Sequence, residues 1–201
     1  MFKMSKKELI KNYRKMLAFL GEDPKRDGLI DTPKRIIKSL EELTWGLRTP
    51  EKKFLQSMAR KFDYAHNQMI SVRNIRFASV CEHHFLPFIG SATLAYIPRT
   101  NNGKGKIIGI SKLARIVEYY AARPQVQERL TTQIADAIET LLHPVGVGVW
   151  MDATHTCMSI RGIKSVDAST VTSDLRGAMM DDSKTREEFL SLARSNTFIS
   201  K

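Results

Sequence analysis

Apolar residues recur with a helical period at both ends of the chain and alternate with polar residues in between. Leu9, Ile10, Tyr13, Met16, Leu17 and Leu20 share one face of a helix over 5–20, and Gly21 stops it. Asp31-Thr32-Pro33 supplies a capping residue and an early proline for a second helix, with Ile36, Ile37, Leu40, Leu43 and Leu47 as its stripe and Gly46 near its end. Residues 48–67 show no period and read as basic and partly loop. From Met69 to Phe77 apolar and polar residues alternate, which predicts a strand buried on one face; Phe88–Pro98 reads as a second strand. Arg99–Lys106 has a turn composition. It is no Walker loop, because no glycine stands five residues before either Gly-Lys pair. After the short apolar run Ile107–Ile110, Ser111 is placed as the N-cap of a helix with Leu113, Ile116, Val117 and Tyr120 on its apolar face. Pro124 breaks that helix and opens the next, whose stripe is Val126, Leu130, Ile134, Ile138 and Leu141. Val145–Met151 is β-branched, Thr170–Met180 reads as a strand, and a last helix runs from Asp181-Asp182-Ser183 to about Arg194. The order is two helices, then β-β-α-α-β-β, then one helix, an α+β pattern.

At 201 residues the chain suits one domain with a small appendage: an N-terminal helical segment over 1–67 and an α+β domain over 68–201. A chain of this length buries roughly 70% of its unfolded surface, so it needs no metal merely to fold. Lysine and arginine number 32 against 21 acids, a net charge of +11. That balance fits nucleic acid, acidic lipid headgroups or a phosphorylated small molecule as partner, and equally a solubilising surface. The basic N-terminus lacks the apolar core of a signal peptide, and no run approaches the ~20 apolar residues of a membrane span. Two cysteines without a secretory signal point to a reducing, cytoplasmic setting.

Both cysteines and three of the five histidines fall in two short stretches, Cys81-Glu82-His83-His84 and His155-Thr156-Cys157. Cys81 and His84 stand in C-x-x-H spacing, which lets a tight turn aim a thiolate and an imidazole at one zinc ion, and Cys157 offers a third ligand. If residues 152–161 are extended, His155, Cys157, Ser159 and Arg161 point to one face. Three protein ligands leave a fourth position open, the arrangement of catalytic rather than structural zinc, where a metal acidifies water. His83 and His155 are then candidate proton carriers. Buried inert thiols and a satisfied core histidine are the competing readings of the same residues.

The second constellation is cationic. Ser111, Lys112 and Arg115 sit at a predicted helix N-terminus, where backbone N–H groups and the dipole favour an anion; a solvated basic face is the alternative. Gln127 and Glu128 lie off the apolar stripe of the next helix, where a carboxylate can accept two parallel N–H bonds from a guanidine-like edge, or simply complement the dipole. Arg161 is a second phosphate clamp or a surface charge.

Taken together, Ser79–His84, Tyr96-Ile97-Pro98, Ile108–Lys112, Arg123–Leu130, His155-Thr156-Cys157 with Arg161-Gly162, and Thr185–Leu190 resemble the GTP cyclohydrolase I family, in order and across about residues 5–195. The resemblance implies the tunnelling fold, an antiparallel sheet with two helices on one face, as the catalytic domain over 68–201. It implies a homodecamer with active sites between subunits, and conversion of GTP and water to 7,8-dihydroneopterin triphosphate and formate. By matching position, Cys81, His84 and Cys157 correspond to zinc ligands and His83 and His155 to the catalytic histidines. Gln127 and Glu128 would hold the guanine, and Ser111, Lys112, Arg115 and Arg161 the triphosphate. No membrane or nucleic-acid partner is expected on this reading. The hairpin Arg99–Lys106 is longer than the family's shortest versions, and Ile110 stands where leucine is common. Two alternatives are a basic nucleic-acid-binding protein with a structural zinc and another enzyme of the same fold acting on a pterin or deazapurine. Against the first, no second metal-ligand pair completes a four-ligand site. Against the second stands the two-cysteine, one-histidine ligand set.

Overall fold

The structure, a computed structural model, describes residues 4–101 and 103–195. The chain divides into two compact units with the boundary between Thr44 and Trp45. The first holds α1 (Lys6–Phe19) and α2 (Thr32–Leu43). A capping box starts α1: Ser5 Oγ accepts from Glu8 N–H at 3.2 Å, and the Glu8 carboxylate accepts from Ser5 N–H at 2.8 Å. The second helix ends at Leu43, short of the Leu47 expected from its stripe.

The second unit opens with a 3₁₀ turn, Trp45–Arg48, followed by α3 (Glu51–Met58) and β1 (Lys61–Tyr64). These elements occupy the stretch that reads as partly loop. Helix α3 is only two turns long, too short for a visible period, and it forms because Phe54 and Met58 find a core. Phe54 stacks on Tyr119 with ring centroids 3.9 Å apart.

The main sheet takes β2 (Ile70–Cys81), β3 (Pro87–Ile97), β6 (Pro124–Gln125), β7 (Gly146–His155) and β8 (Thr170–Gly177) in the order β6-β2-β3-β7-β8. All pairings are antiparallel except β2 with β6. Two further strands, β4 (Thr100–Asn101) and β5 (Lys104–Ile108), pair in a smaller sheet of order β1-β5-β4. Helices α4 (Ile110–Ala121) and α5 (Gln127–Leu142) cover one face of the main sheet. Leu113, Ile116 and Val117 of α4 and Leu130, Ile134 and Ile138 of α5 join Phe77, Phe88, Leu94 and Met151 in the core. Two short helices, α6 (Thr156–Ser159) and α7 (Ala178–Asp181), precede α8 (Ser183–Arg194). Met179 and Phe189 pack with Ala95 in a second cluster, so β3 is buried on both sides. Apart from the two-residue β6, the main sheet is antiparallel and its elements run β-β-α-α-β-β, the order expected of the tunnelling fold, and the chain is α+β as its pattern indicates.

Four local expectations change. The N-cap of α4 is Gly109, not Ser111, which lies inside the first turn. Pro124 does not open α5; it pairs with Val80 in the parallel β2–β6 contact, and the helix begins at Gln127. The strand at Thr170 stops at Gly177, whose φ of +55° turns the chain into α7. Residues 152–161 are not extended throughout: β7 ends at His155, and Cys157 rides on the helical turn α6.

Candidate functional site

Strand β2 runs out at Cys81 and β3 begins at Pro87. The turn between them is closed by Phe85 N–H on Cys81 O and by Cys81 N–H on Leu86 O, each 2.8 Å, with Phe85 at a φ of +57°. That turn brings His84 back beside Cys81. Strand β7 lies next to β3 in a register that pairs Phe88 with His155, so its end, and then α6, arrives at the same edge. Thr156 Oγ1 donates to Pro87 O at 2.5 Å and ties α6 to the start of β3.

One ligand atom each from Cys81, His84 and Cys157 lies within 4.8 Å of the others. The two sulfurs are 3.9 Å apart. A tetrahedral ion with Zn–S bonds of ~2.3 Å sets two sulfurs about 3.8 Å apart, whereas a disulfide needs about 2.05 Å. The thiols are therefore placed to share an ion, not a bond. Burial pushes the Cys157 thiol up, and contact with Cys81 adds to it, so a pair of thiolates here needs a cation between them.

The trio shares a cleft of about 320 Å³ with His83, His155, Gln127 and Glu128. His83 Nδ1 is 4.0 Å from Cys81 Sγ. His155 stacks flat on Phe88, centroids 4.5 Å apart and planes 4° from parallel. Its Nε2 is 2.8 Å from Gln127 Oε1. Burial lowers the His155 pKa, and Glu128 partly opposes that. Glu128 is exposed on the first turn of α5. A larger hollow of about 490 Å³ lies among Asp63, Arg99, Asn101, Lys104 and Lys106 on the small sheet. It brings together no thiol or imidazole, so the chemistry belongs to the smaller cleft.

Ser111, Lys112 and Arg115 start α4 and do not line the cleft; nor does the exposed Arg161. Lys112 Nζ donates to Met58 O at 2.9 Å and Arg60 O at 2.8 Å, and burial followed by the nearby Arg60 and Arg115 charges lowers its pKa.

Three contributors were given no role by the sequence reading, although Gln125 and Arg129 lie within one of the stretches that carry the resemblance. Gln125, fully buried, accepts from Arg129 Nε at 2.9 Å, and its backbone carbonyl accepts from Glu82 N–H at 3.0 Å. Arg129 also pairs with the Glu82 carboxylate, which braces the turn carrying Cys81 and His84 against α5. Phe88 supplies the surface on which His155 rests. Opposite charges 47 positions apart and a strand phenylalanine look like any others until the fold joins them.

A family model described as GTP cyclohydrolase I matches residues 9–194. A relative named GTP cyclohydrolase 1 2, from Nostoc sp., is 49% identical over 189 residues, covering 94% of this chain and 84% of the relative. GTP cyclohydrolase 1 of Thermoanaerobacter pseudethanolicus is 47% identical over 192 residues, covering 96% and 98%. Among solved structures, an archaeosine synthase QueF-Like in the apo form aligns with a TM-score of 0.43 and 16% identity over 54% of this chain and 93% of that one. That last likeness is too slight to carry an argument.

Proposed function

This chain belongs to the GTP cyclohydrolase I family, and on that premise we propose that it opens the imidazole ring of the guanine in GTP, releasing formate and forming 7,8-dihydroneopterin triphosphate. The observation that carries the reading into this molecule is the convergence of Cys81, His84 and Cys157 in one cleft with His83, His155 and Glu128. The donor set and the sulfur spacing fit zinc, with Cys81, His84 and Cys157 as its ligands. When bound, zinc supplies a Lewis acid that makes water nucleophilic near neutral pH.

The chain's own residues then divide the work. Glu128 accepts the paired N–H groups on the guanine edge, an arrangement adenine lacks. His155 protonates the imidazole ring of the base and makes C8 electrophilic, and His83 assists proton movement as the ring opens and formate leaves. A sugar rearrangement and ring closure complete the pterin. Ser111, Lys112, Arg115 and Arg161 hold the triphosphate. Arg161 is near enough to Cys157 for its charge to act on that thiol, whereas Ser111, Lys112 and Arg115 start α4 and do not line the cleft, so their role calls for a second copy, as in a homodecamer with sites between subunits. The setting is the cytoplasm. A nucleic-acid-binding role with a structural zinc fits less well, since among the described residues the cluster offers three donors and not four.

Replacing either thiolate tests the metal assignment. Cys81→Ser and Cys157→Ser are expected to lose bound zinc and GTP turnover while circular dichroism stays native. Undiminished turnover by the metal-free variants would overturn the assignment.

A further inference from the structure

Gln127 was expected to hold guanine, yet its side chain is occupied within the protein. The residue is 1% exposed. Its Nε2 lies 2.8 Å from Thr170 O, 3.3 Å from Met151 O and 3.1 Å from Thr172 Oγ1. Two of these partners are backbone carbonyls, which only accept. Reversing the amide would set oxygen against oxygen in a dry site, so the amide nitrogen faces them and Oε1 faces His155 Nε2 at 2.8 Å.

The hydroxyl links run in a consistent direction. Thr131 Oγ1 donates to Gln127 O at 2.8 Å, so Thr172 Oγ1, 2.7 Å away, donates to Thr131 and accepts from Gln127. An amide oxygen only accepts, so the imidazole has to be the donor across the Gln127–His155 contact. Turning the ring over would put carbon where Nε2 meets the amide. Among the described residues, no hydrogen bond reaches His155 Nδ1.

We infer that Gln127 is a positioning residue that holds His155 as the Nε2–H tautomer, leaving Nδ1 as the nitrogen that exchanges a proton with the substrate. In the neutral ring Nδ1 carries a lone pair and no hydrogen. The inference rests on the proposed function only for which molecule receives the proton. It leaves guanine recognition to Glu128.

The tautomer is directly measurable. Solid-state ¹⁵N spectra of the zinc-loaded protein, labelled in histidine and recorded where the ring is neutral, report which nitrogen bears hydrogen; His155→Asn assigns the signals by their loss. The expected result is a protonated Nε2 and a bare Nδ1, and hydrogen on Nδ1 overturns the inference. Gln127→Met, nearly isosteric, is expected to keep zinc, mix the tautomers and lower kcat about 100-fold with KM for GTP moving less than about 3-fold. A raised KM with unchanged kcat would return Gln127 to the guanine site. If that variant does not fold, the wild-type spectrum still decides. Because the spectrum needs no turnover, a wrong tautomer and a wrong reaction are told apart.

Discussion

At the scale of single residues, scarcity was the informative signal. Only two cysteines and five histidines occur, and both cysteines and three of the histidines fall in two stretches that the fold joins at one sheet edge. The destination of Gln127 was not legible, because its partners Met151 and Thr170 contribute backbone carbonyls, which any residue type has. Glu128 is the residue on which base choice depends in this account. It is exposed in the cleft, and among the described residues no hydrogen bond reaches its carboxylate, so its truncation leaves the fold intact. Glu128→Ala is expected to cut kcat/KM for GTP by two orders of magnitude or about 3 kcal/mol, through loss of a charge-assisted pair of hydrogen bonds. Comparison with ATP as competitor checks it: if discrimination between the two nucleotides is unchanged, guanine is read elsewhere.

At the scale of elements, strong periodicity was readable and tertiary support was not. The alternation after Met69 and the stripes of α4 and α5 mark their elements to within a few residues. Helix α3 escaped because two turns carry too little pattern, and α6 because four residues at the end of a strand carry none. Yet α6 decides where Cys157 stands, and α3 locks the far side of α4. Phe54→Ala removes the ring stacked on Tyr119 in a site only 7% exposed, and a loss of about 3–5 kcal/mol is expected for a truncation of this kind. Chemical denaturation measures it. A loss under about 1 kcal/mol would mean that α3 adds little to the core.

At the scale of the whole molecule, the cleft of one chain holds the three candidate metal donors and Glu128, proposed for guanine, while Ser111, Lys112 and Arg115, proposed for the triphosphate, stand on α4 and do not line it. Ile160, Ile163 and Val166 are left 66%, 75% and 67% exposed on the segment that follows Cys157. Among the described residues no strand pairs with the outer edge of β8. Both features suit burial against further copies, which would also bring the missing cations to the cleft and account for part of the +11 charge as a triphosphate site. The reaction itself is the most direct test of all this. The zinc-loaded protein is incubated with GTP while formate and the fluorescence of the oxidised pterin are followed, with and without a chelator. Equal amounts of formate and pterin are expected, both abolished by chelation and restored by zinc; unaltered GTP, or turnover indifferent to the chelator, would contradict the zinc-dependent reaction.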